Sequence, residues 1–226
     1  MSAGTEPSSR LALFDCDGTL VDGQASICLA MEDCFARAGL EPPARERTRR
    51  VVGLSLVEAM RAMLPEGGAD LHARLAEDYK AAFHDLRRRG LVEEPLYEGM
   101  RELLDALEEK GWQLGIATGK SDRGLRLCLE AHGLAGRFAT LQTADRHPSK
   151  PHPSMIEAAL AETGSAPELS MMIGDTRYDM AMAKAAGVMA VGVAWGYHAV
   201  EELLSAGADY VAARPGEIAA LAKAVA

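Results

Sequence analysis

The feature that most constrains this chain is a change of periodicity along it. From Tyr97 onward, short apolar runs alternate with segments whose apolar residues recur at helical spacing. They read as helix Met100 to Lys110, strand Gln113 to Thr118, helix Ser121 to Ala131, strand Ala139 to Thr143, helix Ser154 to Glu162, strand Ser170 to Ile173, helix Tyr178 to Ala186 and strand Val188 to Val193. Such alternation dictates a parallel sheet covered on both faces by helices. One further strand, Leu11 to Phe14, comes earlier. Between it and the alternating run nothing reads as a strand. Helix Ala25 to Ala38 carries Ile27, Met31, Cys34 and Phe35 on one face, and further helices follow around Leu54 to Leu64 and from Ala69 to Arg89. The expected architecture is therefore α/β, a doubly wound parallel-sheet core made of residues 1–21 and 95–226, with an all-helical cap at 22–94.

Composition narrows the function classes. A chain of 226 residues with 48% hydrophobic and 25% charged side chains has apolar surface enough for a real core. Its formal charge of −9, without a clustered basic face, points away from nucleic acid and anionic lipid as partners. Cys16, Cys28, Cys34 and Cys128 show no metal or disulfide spacing, as expected of free thiols in a reducing compartment. The stretch Met1 to Arg10 lacks the basic start and apolar block of a secretory signal, and no apolar run has the length of a membrane span. A cytoplasmic address is expected, with monomer and dimer both open.

In an open parallel sheet, ligands bind beyond the carboxyl ends of the strands. Asp15 with Asp17, Thr118, and Gly174 with Asp175 stand at predicted strand ends, and Lys150 lies in the loop after another. These scattered residues are thus expected on one rim. In extended backbone Asp15 and Asp17 face the same way and Cys16 the other. A calcium loop starting at Asp15 would need a glutamate where Ser26 stands, so that reading fails. Carboxylates gathered near Asp175 and Asp179 repel unless a cation lies between them, and magnesium, hard and oxygen-seeking, is the natural one. Thr118 offers a hydroxyl and Lys150 a mobile positive charge to a phosphoryl group. Gly115 to Ser121 imitates a nucleotide-binding P-loop, but its glycines are spaced one residue too close and Gly115 falls within a strand.

Asp15-Cys-Asp17-Gly-Thr, Thr118, Lys150-Pro151 and Gly174-Asp175-Thr-Arg-Tyr-Asp179, in this order, resemble the motifs of the haloacid dehalogenase superfamily of phosphohydrolases. The helical insertion resembles that family's small cap, and Thr118-Gly-Lys with Lys150-Pro-His-Pro resembles its phosphoglycolate-phosphatase-like branch. The resemblance implies a magnesium-dependent phosphatase acting on a small phosphorylated metabolite through an aspartyl phosphate. It makes Asp15 the nucleophile and Asp17 the general acid and base. It further implies phosphate binding by Thr118, Gly119 and Lys150. Magnesium would sit on Asp15, the Asp17 carbonyl and Asp175, with Asp179 behind them. Specificity is expected in the cap, where Gly53 makes a turn toward the site and Arg50 is a candidate contact to an anionic leaving group. The alternatives are a sugar-phosphate mutase of the same fold and a non-catalytic binder of phosphorylated ligands. Against the mutase, Ile27 and Cys28 stand where that activity places a histidine. The other conspicuous residues read as structural: His147 and His152 as loop histidines, the Trp195 to His198 aromatics as packing, Arg87 to Arg89 as a solvated helix end, and Cys16 as a core hydrophobe.

Overall fold

Strand β1 (Ser9–Phe14) shows how the sheet is made, because its side chains alternate between two apolar layers. Ala12 and Phe14 enter one layer, which is completed by α5 (Met100–Glu109), α6 (Asp122–Ala131) and α10 (Pro215–Ala224). Leu11 and Leu13 enter the opposite layer, against α7 (Ser154–Thr163), α8 (Arg177–Ala186) and α9 (Val200–Ser205). The remaining strands are β2 (Trp112–Thr118), β3 (Thr140–Thr143), β4 (Ser165–Gly174), β5 (Met189–Val193) and β6 (Tyr210–Ala212). All pair in parallel, in the order β3-β2-β1-β4-β5-β6. The order reverses direction at β1, so the crevice above β1 is where such a sheet binds ligands. This doubly wound arrangement is the one expected, and Gly115 does lie inside β2.

The computed structural model describes residues 9–224, so the signal-sequence reading lies, up to Ser8, outside the described residues. Among the described residues no helix is long and apolar enough to cross a membrane.

After β1 the chain enters a helical insertion: α1 (Gln24–Arg37), α2 (Arg45–Arg49), α3 (Leu56–Met63) and α4 (Ala69–Arg88). Its own core gathers Met31, Cys34, Phe35, Val51, Met60, Met63 and Leu75. Full burial of one such side chain is worth about 1.5–3 kcal/mol, so the insertion has an apolar centre separate from the two sheet layers. The outgoing and returning segments run side by side. Asp22 donates its N–H to Pro95 (2.8 Å), and the N–H of Tyr97 donates to Leu20 (3.1 Å).

Several elements escaped the sequence pattern for local reasons. The first half of β4 is polar and partly exposed, and its register against β1 shifts between Ser9 and Leu11, so only the apolar second half was expected. Helix α2 is short and almost wholly charged, and β6 spans only 3 residues.

Candidate active site

Asp15 follows β1 directly, and its N–H donates to the Ile173 carbonyl of β4 (2.9 Å), which fixes it on the rim between the central strands. Behind it the chain winds tightly: the N–H groups of Leu20 and Val21 both donate to the Cys16 carbonyl (2.9 and 3.0 Å). Gly18 lies within this turn at φ +82°, where a Cβ would stand 2.2 Å from an Asp175 oxygen. Only glycine permits both that conformation and that approach. Cys16 points the other way, into the core, with its sulfur 3.9 Å from that of Cys128.

Lys150 is 1% exposed, its Nζ 3.0 Å from Asp15 Oδ1 and 2.7 Å from Asp179 Oδ1. A solvated loop lysine would not be buried between two acids. Asp179 also accepts hydrogen bonds at Oδ2 from the Thr176 N–H (3.0 Å) and hydroxyl (2.7 Å), and its own N–H donates to the Thr176 Oγ1 (3.4 Å), closing the capping box that starts α8. Asp175 accepts from the Thr19 hydroxyl and from the Tyr197 N–H, each at 2.9 Å. Thr19, Thr176 and Tyr197 were not singled out from sequence. Thr19 stands in the first motif and Thr176 in the last, but the Tyr197 contribution is a main-chain donor and leaves no side-chain signal.

Oxygens of Asp15, Asp175 and Asp179 lie within 4.8 Å of one another. Two unit charges 4 Å apart repel by about 4 kcal/mol at an effective dielectric of about 20. Burial pushes Asp15 up to about 6, with the Lys150 ammonium opposing and Asp179 adding to the rise. Burial, with Asp15 and Asp179 adding to it, holds Asp175 well above the usual carboxylate range. One ammonium thus pairs with two of the three carboxylates, and Asp15 Oδ2 is buried without a hydrogen-bond partner among the described residues. An all-oxygen donor set, excess negative charge and an orphaned carboxylate oxygen fit a hard divalent cation.

The other acid of the first motif belongs to a separate chain of charges, invisible in the sequence. Lys120 Nζ lies 3.0 Å from Asp17 Oδ1 in an ion pair outside hydrogen-bond angles, and donates to Glu94 Oε1 at 2.7 Å. Arg87, on α4, donates to the other Glu94 oxygen at 2.8 Å. Burial raises Asp17 while Lys120 opposes it. For Lys120, burial works against the charge, but the acidic neighbours, Asp17 foremost, outweigh it and raise the ammonium. Burial likewise works against the Glu94 carboxylate, and Lys120 with Arg87 overcomes it, lowering the group. Arg87 therefore corrects an expectation: it is half-buried over the Phe83 ring (5.6 Å), not a solvated helix end. Lys120 stands directly after Thr118-Gly119, and that adjacency was the only signal available.

Thr118 is buried at the end of β2, and its Oγ1 accepts from the Lys120 N–H at 3.3 Å. At Gly119 a Cβ would lie 2.8 Å from the carbonyl oxygens of Gly53 and Leu54, so the insertion touches the rim backbone to backbone there. Gly53 therefore does face the site. Arg50 does not join it. Its guanidinium bonds Glu202 on α9 (2.5 Å) and its side chain is 61% exposed, while its carbonyl meets Tyr178 and His198. His147 is tied to Ser154 (2.7 Å) and Gln142 (2.8 Å), and Trp195 donates to the Thr19 carbonyl at 3.1 Å while packing beside Tyr97. These contacts are structural.

Beyond Asp17, between rim and insertion, lies a cavity of about 390 Å³ lined by residues of both, among them Gly53, Tyr79, Phe83, Gly119 and Lys120.

A sheet that reverses direction at a buried Asp-x-Asp turn, with a lysine between acids from different loops, defines a hydrolase site of one known family. The chain belongs to the haloacid dehalogenase-like hydrolases, whose family pattern matches residues 12–193. It is 35% identical over 201 residues to "Probable phosphatase IndB" of Dickeya dadantii, covering 87% of this chain and 86% of that one. It is 32% identical over 198 residues to the phosphoglycolate phosphatase of Pseudomonas putida, covering 86% and 72%. A hydrolase from Pseudomonas syringae superposes with a TM-score of 0.84 at 25% identity, covering 96% of this chain and 100% of that one. The chain is an enzyme of the phosphatase kind within this family, similar to phosphoglycolate phosphatases.

Proposed function

We propose that the chain hydrolyses small phosphate monoesters with magnesium, through an aspartyl phosphate on Asp15. In this reading residues 22–94 are a cap over a core of 1–21 and 95–226, working in the cytoplasm. The observation that carries it is Lys150, buried between Asp15 and Asp179 beside an Asp15 oxygen that no group among the described residues satisfies.

Asp15, the Asp17 carbonyl and Asp175 would hold the cation, with Asp179 orienting Lys150 behind them. Bound there, magnesium supplies positive charge to the carboxylate cluster and to the phosphoryl oxygens. Lys150 and the Thr118 hydroxyl bind the phosphoryl group, with the Gly119 main chain beside it. An Asp15 oxygen donates an electron pair to phosphorus, the bond from phosphorus to the alcohol oxygen breaks, and the proton of Asp17 passes to that oxygen. Burial favours the protonated form of Asp17 that this step needs. Water then attacks the same phosphorus, gives a proton back to Asp17, and frees Asp15 with inorganic phosphate. The backbone contact between Gly53 and Gly119 sets the insertion over the rim, where it would shield the acyl phosphate from bulk water.

Phosphate release from 4-nitrophenyl phosphate by the purified chain, with and without magnesium, tests the reading. Turnover that requires the metal and stops with chelator is expected. Equal turnover with chelator present contradicts it.

A further inference from the structure

The cavity beyond Asp17 lies on the side of the rim where a departing alcohol would collect the Asp17 proton, and its composition is unlike that of the phosphate site. The walls are apolar side chains from the insertion: Ile27 from α1, Val51 and Leu54 from the turn before α3, Leu56 from α3, and Tyr79 with Phe83 from α4. Leu54, Leu56, Tyr79 and Phe83 are only half-buried. Apolar groups that line an internal space without filling it are what a complementary apolar ligand covers.

Size and charge agree with this. A cavity of about 390 Å³ lies within the range of roughly 300–1,000 Å³ that encloses drug-sized ligands, more room than a two-carbon acid fills. The inner cations are already engaged. Lys120 holds Asp17 and Glu94, and Arg87 holds Glu94. A small carboxylate placed here would compete with Glu94 for them and leave the apolar wall wet. At the exposed edge Lys80 is paired with Glu77, and Arg123 sits beside His84 at 3.5 Å.

We infer that this cavity receives the leaving group and that the substrate's alcohol carries a bulky, largely apolar ring rather than a short acidic chain. The inference rests on the phosphatase reading above and narrows its substrate class. A ring seated among Ile27, Leu54, Leu56 and Tyr79 gains by desolvation. That energy acts through kcat/KM by fixing the alcohol oxygen next to Asp17.

The test compares alkyl esters with similar leaving groups that differ only in the ring: ethyl phosphate and 2-phenylethyl phosphate, with phosphoglycolate as the small acid. Burial of one phenyl group predicts a kcat/KM about 10- to 100-fold higher for 2-phenylethyl phosphate than for ethyl phosphate. Leu56→Trp, which fills part of the cavity from the first residue of α3, should shrink that ratio at least about threefold, on the scale of a few methylenes. Equal efficiency toward the two esters in the wild type, or phosphoglycolate outrunning the phenyl ester, overturns the inference while leaving the phosphatase reading in place. A ratio that Leu56→Trp leaves unchanged, in a variant with native circular dichroism, also overturns it. Phosphate released from none of the esters in magnesium overturns both readings together.

Discussion

The rim and the insertion that covers it are built on opposite principles. On the rim Asp175 and Asp179 are buried and held by main-chain amides, hydroxyls and an ammonium, so their positions are fixed by directional bonds. The insertion presents mainly apolar side chains to the cavity, and several of them remain half-covered. Directional bonds specify where a reacting atom sits, whereas an apolar wall specifies only how large and how oily its neighbour is. The chain of charges from Asp17 through Lys120 and Glu94 to Arg87 is where the two regions meet.

Substitutions that remove rim groups should therefore be far more damaging than those at outer contacts of the insertion. Asp15→Asn, which keeps shape and deletes the nucleophile, is expected to lower phosphate release by at least about 10⁴-fold; a loss under tenfold would place the nucleophile elsewhere. Asp17→Asn should cost about 10²- to 10⁴-fold, more with alkyl than with aryl esters, because poor leaving groups depend most on protonation. A uniform loss across leaving groups would remove the acid role. Lys120→Met leaves the buried Asp17 without its cation and Glu94 with Arg87 alone, and denaturant unfolding should register about 3–5 kcal/mol. A cost below about 1 kcal/mol would mean that the junction between the regions is not held by charge.

Metal and pH sharpen the same contrast. Without a cation, the folded Asp15 titrates at about 6, above its ordinary 3.8. A raised native value gives stability that is complete below the unfolded value and is lost as pH rises through about 6. The metal-free protein should lose stability over that window. At pH 7.5, magnesium at roughly a hundred times its dissociation constant should restore about 2.7 kcal/mol, or roughly 5–10 °C in Tm for a chain of this size. At pH 5 the gain should be much smaller. An equal gain at both values would detach the cation from these carboxylates. The smallest effect belongs to the outer edge: Arg50→Ala, which breaks an exposed pair with Glu202, should alter kcat/KM by less than about threefold. A tenfold loss would restore Arg50 as a substrate contact.

This contrast also decides what could be read from residue order alone. Asp15, Asp17, Thr118, Lys150 and Asp175 were legible because a parallel sheet places strand ends on one edge, so a strand-end polar residue carries its own coordinates. Lys120, Glu94 and Arg87 come from a rim loop, a returning linker and a helix, and no period in the sequence links them. The apolar wall was hidden differently. Ile27 sits in the same helical stripe as Cys34 and Phe35, which do pack into the insertion's core, and spacing cannot tell a residue facing its neighbours from one facing a cavity. Arg50, beside a turn that does reach the site, looked suitable from order alone and faces away because Glu202 holds it.

The central claim, that Asp15 carries the phosphoryl group between the two halves of the reaction, is tested most directly by the steric course at phosphorus. With an isotopically chiral phosphate ester hydrolysed in labelled water, two in-line displacements predict inorganic phosphate of retained configuration. Inverted phosphate would show direct attack by water and contradict the account.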